Sequence, residues 1–217
     1  QIKRYNTFSD ADSVDHAKFG ADLLFKDGLI STFLKGMVKC TGYKPGALED
    51  RYGSDGVFLY DRLNKSDMEM LELAIRCHNM YRIPQGLNRR EQAFCNVLRD
   101  ADKVDIFKVN IDTPLEEIYN TTTEELMKSD ITDEVLEAFG EEHCILKAIR
   151  RTPADTVIGH VSLAYELVYD ESVRITVEQG YLGKLMHFHS DNEETNRKMA
   201  MVREKMDSYV KKRIGKN

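Results

Sequence analysis

The sequence predicts an all-α multi-helix bundle on three observations. Apolar residues recur at helical spacing through most of the chain, many segments open on a capping signal, and one short run alone has strand character. That run is Val57-Phe58-Leu59-Tyr60. The first helix is expected from Asp12 or Ser13, with His16, Phe19, Gly20, Leu23 and Leu24 on one side. A second apolar segment spans 29–38, and 41–60, with its glycines and Pro45, reads as an irregular connection. Ser66-Asp67-Met68-Glu69 has the pattern of a capping box, and the helix it opens carries Leu71, Ile75 and His78. Pro84 and Gly86 end that helix.

Asn88-Arg89-Arg90-Glu91 opens a helix running through Cys95, Leu98 and Asp102 to about Val109. Thr113-Pro114-Leu115-Glu116 starts another, with proline in the first turn. Helices are expected over 123–129, 132–139 and 141–150. A long one follows from Thr152-Pro153 through Leu163, Tyr165, Leu167 and Val168, and a last one covers 191–213 with Met199, Val202, Met206 and Val210 in a stripe. The core is expected over 1–110, with 111–217 a helical extension packed on it.

Composition narrows the function classes. With 217 residues, 41% hydrophobic and 31% charged, the chain can bury a full core. A net charge of −6 argues against a nucleic-acid partner, and no apolar run approaches the roughly 20 residues of a membrane span. The four cysteines form no C-x-x-C pair, which suits reduced cytoplasmic thiols. The first residues, Gln1-Ile2-Lys3-Arg4-Tyr5, lack an initiator methionine and a signal peptide, and read as the interior of a longer protein.

The chemistry concentrates in Arg99-Asp100-Ala101-Asp102-Lys103-Val104-Asp105, Arg76-Cys77-His78-Asn79 and Asp15-His16-Ala17. A carboxylate in a half-apolar helix needs a cation beside it, and Asp102 and Asp105 share a face. Histidine nitrogen with carboxylate oxygen suits a first-row transition metal such as manganese, iron, nickel or zinc, and the divalent ion expected is one of these or magnesium. Helical bundles build such sites from facing helices. A metal so held activates water near neutral pH, and a pair of metals also stabilises a leaving phosphate oxygen.

At these residues the chain resembles the HD-domain superfamily of metal-dependent phosphohydrolases. The resemblance rests on Arg4-Tyr5-Asn6-Thr7-Phe8-Ser9-Asp10, Asp15-His16-Ala17, His78-Asn79 and Arg99-Asp100-Ala101-Asp102-Lys103, in that order. It covers about residues 3–110 and, more diffusely, the region of Tyr165 to Tyr181. It implies an HD-like helical core, with His16 and His78 as later histidine ligands of a divalent metal and Asp102 as the final aspartate. Asp100 is the alternative for that last role. The family's first histidine and its consecutive His-Asp pair do not occur in this sequence. The resemblance puts that pair shortly before Gln1, so the chain is expected to start just after it with an incomplete site.

His16, His78 and Asp102 are therefore expected to converge. Lys103 and Arg76 are candidate contacts for a substrate phosphate, since cationic donors suit phosphate oxygens. Asp100 and Asp105 also read as structural residues, and Asp102 has an alternative as an ion-pair partner of Arg76, Arg99 or Lys103. The His187/His189 pair reads as incidental, and His143 and His160 carry no pattern. The resemblance implies a bacterial, cytoplasmic phosphohydrolase or phosphodiesterase acting on a small phosphorylated substrate such as a nucleotide. The competing reading is a helical binding or regulatory module without turnover. Apolar surface left uncovered in such a chain is expected to show as a patch or to meet a second copy in a homo-oligomer.

Overall fold

The computed structural model describes residues 14–32 and 64–215. Among them the chain is all-α, with no strand, and no helix is long and apolar enough to cross a membrane. The expected strand at Val57–Tyr60, the 41–60 connection and the Arg4–Asp10 motif lie outside the described residues, as does most of the 29–38 segment. The chain divides into two compact units. One holds the described residues up to Leu98 and the other those from Arg99.

In the first unit α1 (His16–Ala21) is capped by Asp15, whose side chain accepts the Lys18 amide, and it continues as a π-helical turn, Asp22–Lys26. Its buried Ala17 and Ala21 bring it close to α2 (Lys65–Cys77). The cap of α2 is Asn64 rather than the expected Ser66. Asn64 accepts the Asp67 amide at 3.0 Å, and the Asp67 carboxylate accepts the Asn64 amide at 3.2 Å. Asparagine caps at least as well as serine, and here its reciprocal partner lies at the third helical position. Met70, Ala74 and Cys77 form the buried side of α2. The expected box at Asn88 and Glu91 opens α3 (Arg89–Asp112), with bonds of 2.9 and 3.0 Å. The division between the units falls within this helix.

The second unit is built around one core of Phe107, Leu126, Ile131, Val135, Phe139, Ile145, Val157, Ile158, Val161, Met199, Val202, Met206 and their neighbours. A fully buried side chain of this size contributes about 1.5–3 kcal/mol. Short helices α4 (Leu115–Tyr119), α5 (Thr123–Lys128) and α6 (Asp133–Gly140) line it. Pro114 is the residue before α4 rather than its first turn, and α5 carries a Thr122–Glu125 capping box. The helix expected over 141–150 does not form. Glu142 has φ 59°, and only Lys147–Ile149 makes a 3-10 turn. The amides of Cys144 and Ile145 bond instead to the side chains of Glu166 and Ser162, so a tertiary partner replaces the helical one.

The long helix expected from Pro153 is broken. It begins as α7 (Pro153–Val161), capped by Thr152 and Asp155, and tightens into a 3-10 segment, Ser162–Glu166. The chain then turns at Leu167–Tyr169 before α8 (Asp170–Gln179). Side chains from both sides hold that turn. Asp100, 2% exposed, accepts from the amides of Val168 and Tyr169, while Arg213 donates to the carbonyls of Leu167 and Val168 and to the Asp170 carboxylate. Gly180, with φ 72°, ends α8, and α9 (Tyr181–Met186) follows. The last helix, α10 (Glu193–Ile214), is capped by Asn192 and buries Met199, Val202 and Met206 as the stripe predicts, with Val210 partly buried beside them.

Candidate functional site

Two of the singled-out side chains meet in the first unit. His16 is the first residue of α1 and His78 follows the last turn of α2. Although 62 positions apart, their Nε2 atoms lie 3.2 Å from one another, with ring centroids at 5.1 Å and planes tilted by 57°. The helices run antiparallel here: Asp15 faces Asn79, His16 faces His78, and Asp22 faces Arg76.

The tautomer of His78 follows from its other nitrogen. Nδ1 lies 2.7 Å from the Ile75 carbonyl, which only accepts, so the neutral ring carries its proton on Nδ1 and turns the Nε2 lone pair toward His16. A carbonyl behind one ring nitrogen is the support that metal-ligating histidines use to orient the other. At metal–nitrogen distances of about 2.0–2.1 Å, two imidazole nitrogens on one ion stand roughly 3.0–3.4 Å apart. The observed 3.2 Å fits that requirement, and it is also a hydrogen-bond distance at which His16 Nε2–H can donate to the His78 lone pair. Among the described residues, no group of three or more His, Cys, Asp or Glu side chains is arranged to hold a metal ion.

Polar cross-links flank the pair. Asn79 Nδ2 donates to Asp15 Oδ1 at 3.1 Å, and the same oxygen accepts the Lys18 amide. Burial pushes the Asp15 carboxyl up, but hydrogen bonds from Lys18 and Asn79 outweigh it and bring it down to about 2. On the other side Arg76 bonds Asp22 at 2.6 Å and Glu72 at 2.7 and 2.8 Å. These carboxylates raise the guanidinium pKa, while Arg76 and then Lys26 lower that of Asp22. Arg76 thus clasps α1 to α2, and a phosphate would compete with two carboxylates for it.

The other expected residues belong to the second unit. Asp102 is half-buried and Asp105 exposed. Asp100 is committed to the amides of Val168 and Tyr169, which supports the structural role foreseen for it. Lys103 is 6% exposed, and among the described residues its ammonium donates to the Arg99 carbonyl, at 3.5 Å. Burial, then the neighbouring Arg99, lowers its pKa against the pull of Asp102, Glu166 and Asp100. A buried cation so weakly bonded is suited to take an anion. His187 Nδ1 donates to the Gly183 carbonyl and His143 contacts Glu141.

Sequence reasoning missed the Asp15–Asn79 and Asp22–Arg76 links. The signal for the first was present, since an aspartate immediately precedes one candidate histidine and an asparagine follows the other. No family model, curated protein or solved structure matches this chain.

Proposed function

We propose that the intact protein is a metal-dependent phosphohydrolase or phosphodiesterase of the HD type, a bacterial cytoplasmic enzyme acting on a small phosphorylated substrate such as a nucleotide. The apposition of the His16 and His78 ring nitrogens at 3.2 Å carries this reading, because it joins two distant positions in the spacing that one divalent ion requires. When bound, a divalent ion activates water near neutral pH and polarises phosphoryl oxygens. His16 and His78 offer their Nε2 atoms, and the Ile75 carbonyl keeps the second ring in the required tautomer. On the resemblance Asp102 is a further candidate ligand. Lys103, buried and weakly bonded, is the phosphate contact, and its charge would offset that of the ester.

The direct test is hydrolysis of bis(p-nitrophenyl) phosphate by the intact protein with added manganese(II). His16→Ala, His78→Ala and Asp102→Ala are each expected to reduce it to background with helical content retained. Unchanged turnover in the histidine variants would overturn the metal assignment. Metal binding without turnover on any phosphate ester would favour a regulatory helical module.

A further inference from the structure

We infer, resting on the metal-binding reading above, that Asp15 and Asn79 are positioning residues that hold the two imidazoles in register for a divalent cation. The antiparallel pairing of the first helices gives two adjacent rungs. His16 meets His78 at 3.2 Å, and the next residues outward, Asp15 and Asn79, meet at 3.1 Å.

The rung matters because both histidines sit at helix ends. His16 opens a helix of six residues, too short to hold its shape alone, and His78 lies past the last turn of its own. A small rotation of α1 would swing the His16 ring away from its partner. Arg76 and Asp22 resist that rotation on one side of the pair. On the other side Asp15 Oδ1 does so with one atom, accepting both the Lys18 amide that starts α1 and the Asn79 side chain that follows His78. The same oxygen therefore fixes the first turn of one helix and the end of the other.

The test is a cobalt(II) titration of the protein, followed by the visible absorption of the cobalt–imidazole complex. His16→Ala should abolish the signal. Asn79→Ala removes the rung but leaves both rings and the Asp15 cap, and should weaken cobalt binding about tenfold, as loss of a supporting hydrogen bond does at other metal sites. The exchange Asp15→Asn with Asn79→Asp keeps a capping oxygen, the net charge and a donor–acceptor pair of reversed polarity, and should restore affinity to within about threefold of the parent. A residue that merely stabilised the fold would lower the melting temperature without moving the cobalt affinity. Parent-like affinity in Asn79→Ala, or no recovery in the exchanged pair, overturns the positioning role while the metal site stands. Absence of a histidine-dependent cobalt signal in the parent overturns both.

Discussion

Asp100 bonds Val168 across 68 positions of sequence, its two carboxylate oxygens lying 3.0 and 3.1 Å from that one amide, and it takes the Tyr169 amide as well. A motif that suggests metal chemistry thus contains one aspartate whose work is architectural. It supplies the acceptors that Val168 and Tyr169 would otherwise find four residues back in a continuous helix.

Asp100→Ala removes a carboxylate that is itself 2% exposed and takes its two bonds from the Val168 and Tyr169 amides, whose residues are 45% and 36% exposed. The expected cost is about 1–3 kcal/mol, the scale of losing hydrogen bonds to a charged acceptor where water can partly replace it. Asp100→Asn keeps one acceptor oxygen and should lose less. Urea denaturation of the two variants checks this, and equal stability of Asp100→Ala and the parent would refute it.

Lys103→Met keeps the length of the side chain and removes a buried charge whose hydrogen bond, among the described residues, is a long one to the Arg99 carbonyl. Stability should be unchanged or slightly raised, because the desolvation that lowers the lysine pKa is relieved. On the proposed function, KM for a phosphate ester should rise more than kcat falls if Lys103 binds the ester in its ground state. Steady-state kinetics separate the two, and an unchanged KM would remove Lys103 from the phosphate site.

His160 gives the fold a dependence on pH. Burial holds its imidazole neutral, down to about 3 from 6.5, and among the described residues its buried Nδ1 has no hydrogen-bond partner. The unfolded chain takes up a proton below pH 6.5 that the folded chain refuses until about 3, so stability is full above 6.5 and falls as the pH drops through that window. The loss should be on the order of a few kcal/mol. His160→Phe, which cannot charge, should flatten the decline, as measured by chemical denaturation at a series of pH values. A variant with the same slope as the parent would assign the acid sensitivity elsewhere.

What the sequence made legible is what neighbouring residues decide. The Asn88–Glu91 box lies within one turn, and the Met199, Val202 and Met206 stripe needs only helical spacing and a core to face. The misplaced start of α2 was a competition between two local caps, Asn64 and Ser66, which differ little in energy. The break after Val161 was beyond local reading, because its causes, Asp100 and Arg213, stand 68 positions before and 45 positions after Val168. The lost helix over 141–150 follows the same rule, with Glu166 and Ser162 drawing its amides away. His16 and His78 were singled out by a resemblance in motif order. Their spacing could not have paired them, since 62 intervening positions leave proximity to the fold.

The double grip on the Leu167–Tyr169 turn has a consequence for the way the chain is made. Asp100 is synthesised before Val168 and can take its amide as soon as it emerges, but Arg213 follows Leu167 by 46 residues. At about 5–20 residues per second, the turn's carbonyls wait roughly 2–9 s of translation for the Arg213 guanidinium. The amide half of the turn can therefore close while the carbonyl half is still open. A ribosome paused in that interval would hold the second unit with α8 started and the clasp from α10 still to be made.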